Sequence, residues 1–417
     1  MIIGFDASRA FRVDKTGTEN YSFQLLKALA KIDKVNQYIV YIQPLTSSSA
    51  IAERYVKIFP KNFYFKQIAW PRLWTQGGLA LQTFKDRLDV LFVPAHTLPV
   101  IRMPGLKTVV TVHDLGSEYL PQMHQLKQRL YLSFMQKYQL KTATKIIAVS
   151  KATKDDLIKR VGCDGNRIEV IYEGYDKKLF KPVKSDVVVN SLSQYGLVPK
   201  SYFLFVGTVQ PRKNLERLIK AFSKFLTIDD RKWKMGVENR GLKIEKDNPS
   251  STIHSQNTTF YAPPSTVKLV IAGSKGWLSD KIYELPKKLG IEDKVEFLGY
   301  VPEKNLPALY CGAIALTFPS LFEGFGLPIL EAQACGCPVL TSNTSSMPEV
   351  AGYVRVNRTV AGKGAVLVNP YSTQDIIRGI RVIGGIRGKM IRLGFENIRR
   401  FSWEKCAQEI IKVLESV

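Results

Sequence analysis

The sequence is short of cysteine, short of acids and without any long apolar run, and each shortage narrows what the chain can be. Its five cysteines have no paired spacing, and Cys335 and Cys337 are too close for a CxxC site. That argues against a disulfide framework and against a zinc site. The longest apolar stretches, such as residues 313–318, fall far short of the roughly 20 residues that span a bilayer. Residues 1–6 reach a charge at once, so no secretory leader is expected and the chain reads as soluble and cytosolic. No GxGxxG follows a strand pattern, and Walker A, DxD, HExxH, GxSxG and Cys/His clusters are all missing. Dinucleotide, P-loop and metal chemistry thereby lose their usual marks, and no metal or cofactor is expected.

The shortage of acids is the one unusual bulk property. Asp and Glu number 36 against 60 Lys and Arg, a net charge of +24. Up to Tyr175 there are 25 basic and 14 acidic residues, and after it 35 and 22, so the two parts carry +11 and +13. An excess spread this evenly is not a basic tail. It suits a nucleic-acid binder, a protein lying on anionic lipid, or a binder of phosphorylated small molecules.

With 417 residues the chain is too long for one core, and two or three domains are expected. Short β-rich runs at 2–5, 38–42, 63–68, 90–93, 108–112, 145–149 and 168–172 alternate with amphipathic segments such as 21–32. A second series runs through 202–206, 269–272, 295–298, 313–317, 339–341 and 365–368. This alternation predicts βαβ units and parallel sheets, hence an α/β chain of two tandem Rossmann-like domains. Residues 173–199 read as a linker. A polar stretch at 229–264, between a helix over 214–226 and the next strand, reads as a surface insertion, with a smaller one at 353–363.

Glycine-containing loops at strand ends carry the remaining chemistry. The run Phe322-Glu323-Gly324-Phe325-Gly326-Leu327-Pro328 follows an apolar strand. Its glycines let backbone N–H groups approach an anion, and Pro328 suits the first turn of a helix. Glu331 lies eight residues beyond Glu323, giving one carboxylate at the loop and one on the helix behind it. Such a pair can accept hydrogen bonds from sugar hydroxyls. A plain glycine turn with an exposed helical Glu fits the spacing equally well.

The span Glu323–Glu331 with Ala332-Gln333-Ala334-Cys335-Gly336-Cys337-Pro338-Val339 resembles the retaining glycosyltransferases of family 4. The resemblance extends along nearly the whole chain. It takes in Gly17-Thr18-Glu19, His113-Asp114, Val149-Ser150-Lys151, Val170-Ile171-Tyr172-Glu173-Gly174, Val206-Gly207-Thr208-Val209-Gln210-Pro211-Arg212-Lys213-Asn214 and Met347-Pro348-Glu349-Val350. It implies the GT-B fold, two Rossmann-like domains with parallel sheets facing across a cleft. Residues 1–175 would form the acceptor-side domain and 176–400 the nucleotide-sugar domain, with a helix over 401–417 crossing back.

By the same resemblance, Glu323 faces the donor sugar, and the backbone of Phe325, Gly326 and Leu327 holds sugar and diphosphate. Glu331 takes the ribose hydroxyls, and Arg212 and Lys213 clamp the diphosphate near Gly207. Gly17 approaches the donor phosphate, and His113 lies near the transferred sugar. Each has a bland alternative: a turn glycine, a satisfied structural histidine, a solvated basic pair. The basic pair, expected at a helix start, would oppose the macrodipole, which favours a functional account. At Thr208 the pattern departs from relatives that carry Arg there. His96 and Asp114 are weaker candidates, and Ser150 is expected to cap the next helix, given Asp155 and Asp156.

Residues 125–145 hold five basic residues and no acid, interleaved with apolar ones. A basic face on a packed helix and a peripheral contact with anionic membrane both fit. The expectation is a mannosyltransferase-like enzyme of cell-envelope polysaccharide synthesis. It would move a hexose from a GDP- or UDP-sugar to a glycan or lipid-linked acceptor, with retention, without metal and without nucleic acid. A basic nucleic-acid binder and a non-catalytic sugar-nucleotide binder are the alternatives.

Overall fold

The computed structural model describes residues 1–12, 17–44, 59–70, 72–95, 97–115, 137–227, 264–352 and 364–417. The chain forms two compact units. One comprises Met1–Asp176, Phe322–Leu327 and Arg399–Val417, and the other Lys177–Leu321 and Pro328–Ile398. Both are parallel α/β sheets.

The N-terminal unit has strands β1 (Ile2–Asp6), β2 (Gln37–Ile42), β3 (Phe63–Gln67), β4 (Val90–Val93), β5 (Lys107–Val112), β6 (Lys145–Ala148) and β7 (Ile168–Val170) in the order β3-β2-β1-β4-β5-β6-β7. The centre is apolar on both faces: Val90, Leu91, Phe92 and Val93 are all buried. Strands covered on both sides need continuous apolar runs, which is why the sequence reveals them. The helix Gly17–Ile32 starts four residues earlier than its periodicity suggests and packs beside Trp403–Glu415. Lys31 pairs with Glu404 at 3.0 Å, and the Tyr21 and Trp403 rings lie 5.7 Å apart.

The C-terminal unit has strands β8 (Tyr202–Val206), β9 (Lys268–Ala272), β10 (Val295–Gly299), β11 (Leu316–Phe318), β12 (Val339–Ser342) and β13 (Val366–Val368) in the order β10-β9-β8-β11-β12-β13. The run expected as a strand over 313–317 is one only from Leu316, because the helix Leu306–Gly312 ends immediately before it. The expected linker is also corrected, since residues 185–193 form a helix. Only Val188 and Leu192 of that helix are buried, a one-turn apolar stripe too short to stand out among polar neighbours. Leu192 abuts the helix Leu306–Gly312 so closely that a Cβ on Gly312 would come within 2.5 Å of it.

The stretches 229–263 and 353–363, His96 and most of the basic stretch at 125–145 lie outside the described residues. Among the described residues, no helix is long and apolar enough to cross a membrane.

Candidate active site

In the C-terminal unit the strand order reverses between β8 and β11. Open α/β sheets bind ligands at the strand C-termini beside such a reversal, and the loops there carry the candidate donor residues. Gly207 closes β8 with φ 143° and donates its N–H to the Ala272 carbonyl at 2.9 Å. Gly273, at φ 157°, passes so close that a Cβ on it would sit 2.0 Å from the Gly207 oxygen. Backbone crossing therefore requires a glycine at 273, a residue that the sequence reading did not single out.

Pro211–Lys213 form a single 3-10 turn, and Asn214 follows in the left-handed region at φ 61°. The Asn214 amide donates to the carbonyls of Pro319 (2.9 Å) and Pro370 (2.7 Å), and the Leu321 N–H donates to the Arg212 carbonyl at 2.9 Å. These bonds tie the loop after β8 to the loop after β11. The helix begins at Leu215 after Asn214, so the basic pair lies directly before its N-terminus, where the macrodipole opposes positive charge. Burial adds a second observation. Lys213 is 7% exposed, with Nζ 5.1 Å from the Phe318 ring centroid.

Pro328 lies in the first turn of the helix Leu327–Ala334, as expected. On that helix Glu331 is half-buried and accepts a hydrogen bond from the Tyr310 hydroxyl at 2.8 Å. Burial pushes its pKa up to about 7, partly offset by the Tyr310 hydroxyl and assisted by the Glu303 carboxylate. Near neutrality it is therefore close to half ionised. Tyr310 is fully buried, and no motif in the sequence marks it.

The remaining candidates belong to the N-terminal unit. Gly17 opens the helix after β1, outside the left-handed region, and a Cβ there would meet nothing within 4 Å. Among the described residues, neither packing nor backbone geometry demands a glycine. Nearby, buried Glu19 pairs with Arg9 at 3.4 Å.

His113 follows β5 and is buried. Nδ1 lies 3.1 Å from Glu173 Oε1 and Nε2 lies 2.9 Å from the Pro94 carbonyl, with the Tyr21 ring edge-on at 4.5 Å. Both partners are acceptors, so the ring holds both bonds only as imidazolium. Burial alone would lower its pKa, but the Glu173 carboxylate, the Pro94 carbonyl and Asp114 together raise it. The side chain is thus engaged by the protein at both nitrogens. The sequence showed Glu173 within a matching motif but gave no sign of this role.

Residues Phe322–Leu327 pack with this same unit. A Cβ on Gly324 would lie 1.7 Å from the His113 carbonyl oxygen, so the loop's approach to His113 requires glycine. The Thr153 hydroxyl lies 3.4 Å from the carbonyl oxygens of both His113 and Gly324. Glu323 is 6% exposed, and Gly326 has φ 107°. Phe325 packs 5.9 Å from the Phe401 ring, and Leu327 opens the helix that carries Glu331. Asp114 is half-buried beside the same loop. Ser150 caps its helix as expected, its Oγ accepting from the Thr153 N–H at 3.0 Å.

Two family models match the chain. "Glycosyltransferase Family 4" covers residues 15–179 and "Glycosyl transferases group 1" covers residues 263–383. The fold matches that of sucrose-phosphate synthase from Thermosynechococcus elongatus with a TM-score of 0.70 at 19% identity, over 100% of this chain and 98% of that one. The chain is a glycosyltransferase of the GT-B fold. The enzyme is 29% identical to O-antigen chain mannosyltransferase B of Escherichia coli, over 97% of both chains. It is 25% identical to the O-antigen chain mannosyltransferase RfbU of Salmonella typhimurium, over 93% of this chain and 96% of that one. HepE of Anabaena, solved with UDP and glucose, shares the fold with a TM-score of 0.68 at 18% identity, over the full length of both.

Proposed function

We propose that the enzyme transfers a mannose- or glucose-type hexose from a nucleotide diphosphate sugar to a glycan or lipid-linked acceptor, with retention at the anomeric carbon. The single observation that carries this reading is the buried Lys213 ammonium at the strand reversal, held behind Gly207 and the crossing Gly273. A fixed cation at the end of the sheet suits a diphosphate, and it would stabilise the negative charge that grows on the leaving nucleotide. Arg212 adds a second charge, so the reaction should proceed without metal. Glu331 accepts from the ribose hydroxyls, with Tyr310 fixing the carboxylate's direction.

In the N-terminal unit, Glu323 and the amides of Phe325, Gly326 and Leu327 act on the transferred sugar, and Gly17 leaves room for the donor phosphates. His113 acts as a positioning residue: its imidazolium fixes the strand end whose carbonyl meets Gly324. No side chain is assigned as a covalent nucleophile, so the donor phosphate takes the acceptor's proton on the face where the new bond forms. Full-length likeness to O-antigen chain mannosyltransferases favours mannose as the sugar and a growing surface glycan as the acceptor. A lipid-linked acceptor also accounts for the +24 charge through contact with anionic lipid.

The test is calorimetric titration with GDP, UDP and ADP, followed by incubation of the preferred nucleotide's sugar with a lipid-linked glycan acceptor in EDTA. A product whose anomeric configuration by NMR matches the donor's supports the reading. An inverted product, or no transfer until a divalent ion is restored, contradicts it.

A further inference from the structure

Asn214 occupies a position that usually calls for glycine or for a capping side chain, and it behaves as neither. It directly precedes the helix Leu215–Leu226 at φ 61° and ψ 26°, and its carbonyl accepts the Leu218 N–H at 3.1 Å. Glycine is the cheapest residue in that left-handed region, and an asparagine at a helix start ordinarily accepts a backbone N–H two or three residues on. The Asn214 side chain makes no such cap bond. It is 4% exposed and its amide is committed elsewhere. Nδ2 donates to the Pro319 and Pro370 carbonyls at 2.9 and 2.7 Å, and Oδ1 accepts from Arg217 Nη1 at 2.9 Å. Carbonyls at one end and a guanidinium at the other fix which way the amide points.

These partners belong to three strand ends. Pro319 follows β11, Pro370 lies just beyond β13, and Arg217 sits in the first turn of the helix after β8. Both carbonyls are those of prolines, whose ring fixes φ, so the acceptors are stiff. Arg217 also lies over the Tyr371 ring, 5.8 Å from its centroid, a second tie to the loop after β13. The sequence neighbours give this latch a consequence. Lys213 precedes Asn214, Phe318 precedes Pro319, and the Lys213 ammonium lies 5.1 Å from the Phe318 ring. The bond from Asn214 to Pro319 therefore sets where the buried cation sits, from one residue away on each segment.

We propose that Asn214 is a positioning residue that acts through Lys213, latching the loop after β8 so that the ammonium is in place before the nucleotide arrives. The inference rests on the reading of Lys213 as the partner of the diphosphate. A charge fixed beforehand needs no reorganisation while negative charge grows on the leaving group. Glycine at position 214 would keep the left-handed backbone and release the lysine loop. An asparagine that served the fold alone would affect stability and leave phosphate recognition as it is.

The test is a double-mutant cycle of the full chain: wild type, Asn214→Gly, Lys213→Ala and the double variant. Each is titrated calorimetrically with UDP and UMP and with GDP and GMP, and the quantity read is the preference for diphosphate over monophosphate. Asn214→Gly should lower that preference roughly 5- to 10-fold, less than Lys213→Ala does, because a misplaced charge still attracts. In the Lys213→Ala background the same substitution should change it no further, since residues that act through one another are not additive. Arg217→Gln loosens the Asn214 amide without touching its backbone, and should give a smaller loss that likewise vanishes without Lys213. A lower melting temperature with the preference unchanged, or losses that add in the double variant, would overturn the inference. Arg217→Gln decides it on the same terms should Asn214→Gly not fold. If Lys213→Ala itself leaves the preference unchanged, the diphosphate reading fails; a loss in Lys213→Ala with none in Asn214→Gly overturns the role of Asn214 alone.

Discussion

The Tyr310 hydroxyl donates to Glu331 Oε2 at 2.8 Å, joining two residues that sit 21 apart on separate helices of the C-terminal unit. The bond fixes the direction of a carboxylate whose pKa burial has pushed up to about 7. A raised carboxyl pKa means that the charged, better acceptor forms only as pH rises through that value. Between pH 6 and pH 8 the ionised fraction in the free enzyme grows by about tenfold, and the ribose contribution to affinity should grow in step. Nucleotide titrations across this range check it, with Glu331→Gln as the control for the nucleotide's own phosphate ionisation. The ratio of wild-type to Gln affinities should climb with pH. Tyr310→Phe removes a bond that lowers the pKa, so its climb should begin at higher pH.

His113 gives a stability prediction with the opposite charge. Its pKa is raised in the folded state, so the stabilisation is fully present below the ordinary histidine value of about 6.5 and is lost as pH rises through the raised one. Glu173→Gln removes the charge responsible. Leaving a buried polar group without its charged partner should cost roughly 1–3 kcal/mol at pH 6. Melting temperatures of the two proteins should differ most at pH 6 and converge toward pH 9. A constant gap would contradict the imidazolium reading.

Two glycines of the N-terminal unit, Gly17 and Gly324, should behave differently on gaining a methyl group. Gly324→Ala places a Cβ against the His113 carbonyl, and the forced shift should cost about 1–3 kcal/mol. Gly17→Ala meets nothing and should leave stability within roughly 0.5 kcal/mol. If Gly17 leaves room for the donor phosphates, this variant should nevertheless lose turnover. Thermal melts beside initial rates separate the two effects.

The proposed lipid contact can be tested on exposed apolar residues of the N-terminal unit. Leu81, Phe84, Ile101 and Met103 are exposed, and residues 100–103 are held to the preceding helical segment by the Met103 N–H donating to Thr83 Oγ1 and the Val100 N–H donating to Gln76 Oε1. Replacing the four by serine should reduce co-sedimentation with phosphatidylglycerol vesicles while leaving nucleotide affinity unchanged. Equal sedimentation of both proteins would remove this segment from the account.

The strands were legible because a parallel sheet covered on both faces needs unbroken apolar runs, as in Val90–Val93 and Tyr202–Val206. The loops were legible where backbone geometry demands a residue type, as at Gly207 and Gly324. Long-range pairs were not. His113 and Glu173 are 60 residues apart, and no periodicity links them. Tyr310 resembles any buried tyrosine until its hydroxyl is located. The helix Ser185–Ser193 was missed because only two of its residues face inward. Burial of Lys213 was equally hidden, since a lysine beside an arginine reads as solvated surface.

The central claim is a division of labour in which Lys213 holds the diphosphate and Glu323 acts on the sugar. Its most direct test is calorimetric titration of Lys213→Ala and Glu323→Gln with the preferred nucleoside diphosphate, beside initial rates with the intact donor. Lys213→Ala loses a charge-assisted hydrogen bond, so nucleotide affinity should fall roughly 10- to 100-fold. Glu323→Gln should bind the nucleotide almost normally while losing most turnover, because its contribution lies in the transition state. Equal weakening of nucleotide binding by both variants would contradict the account.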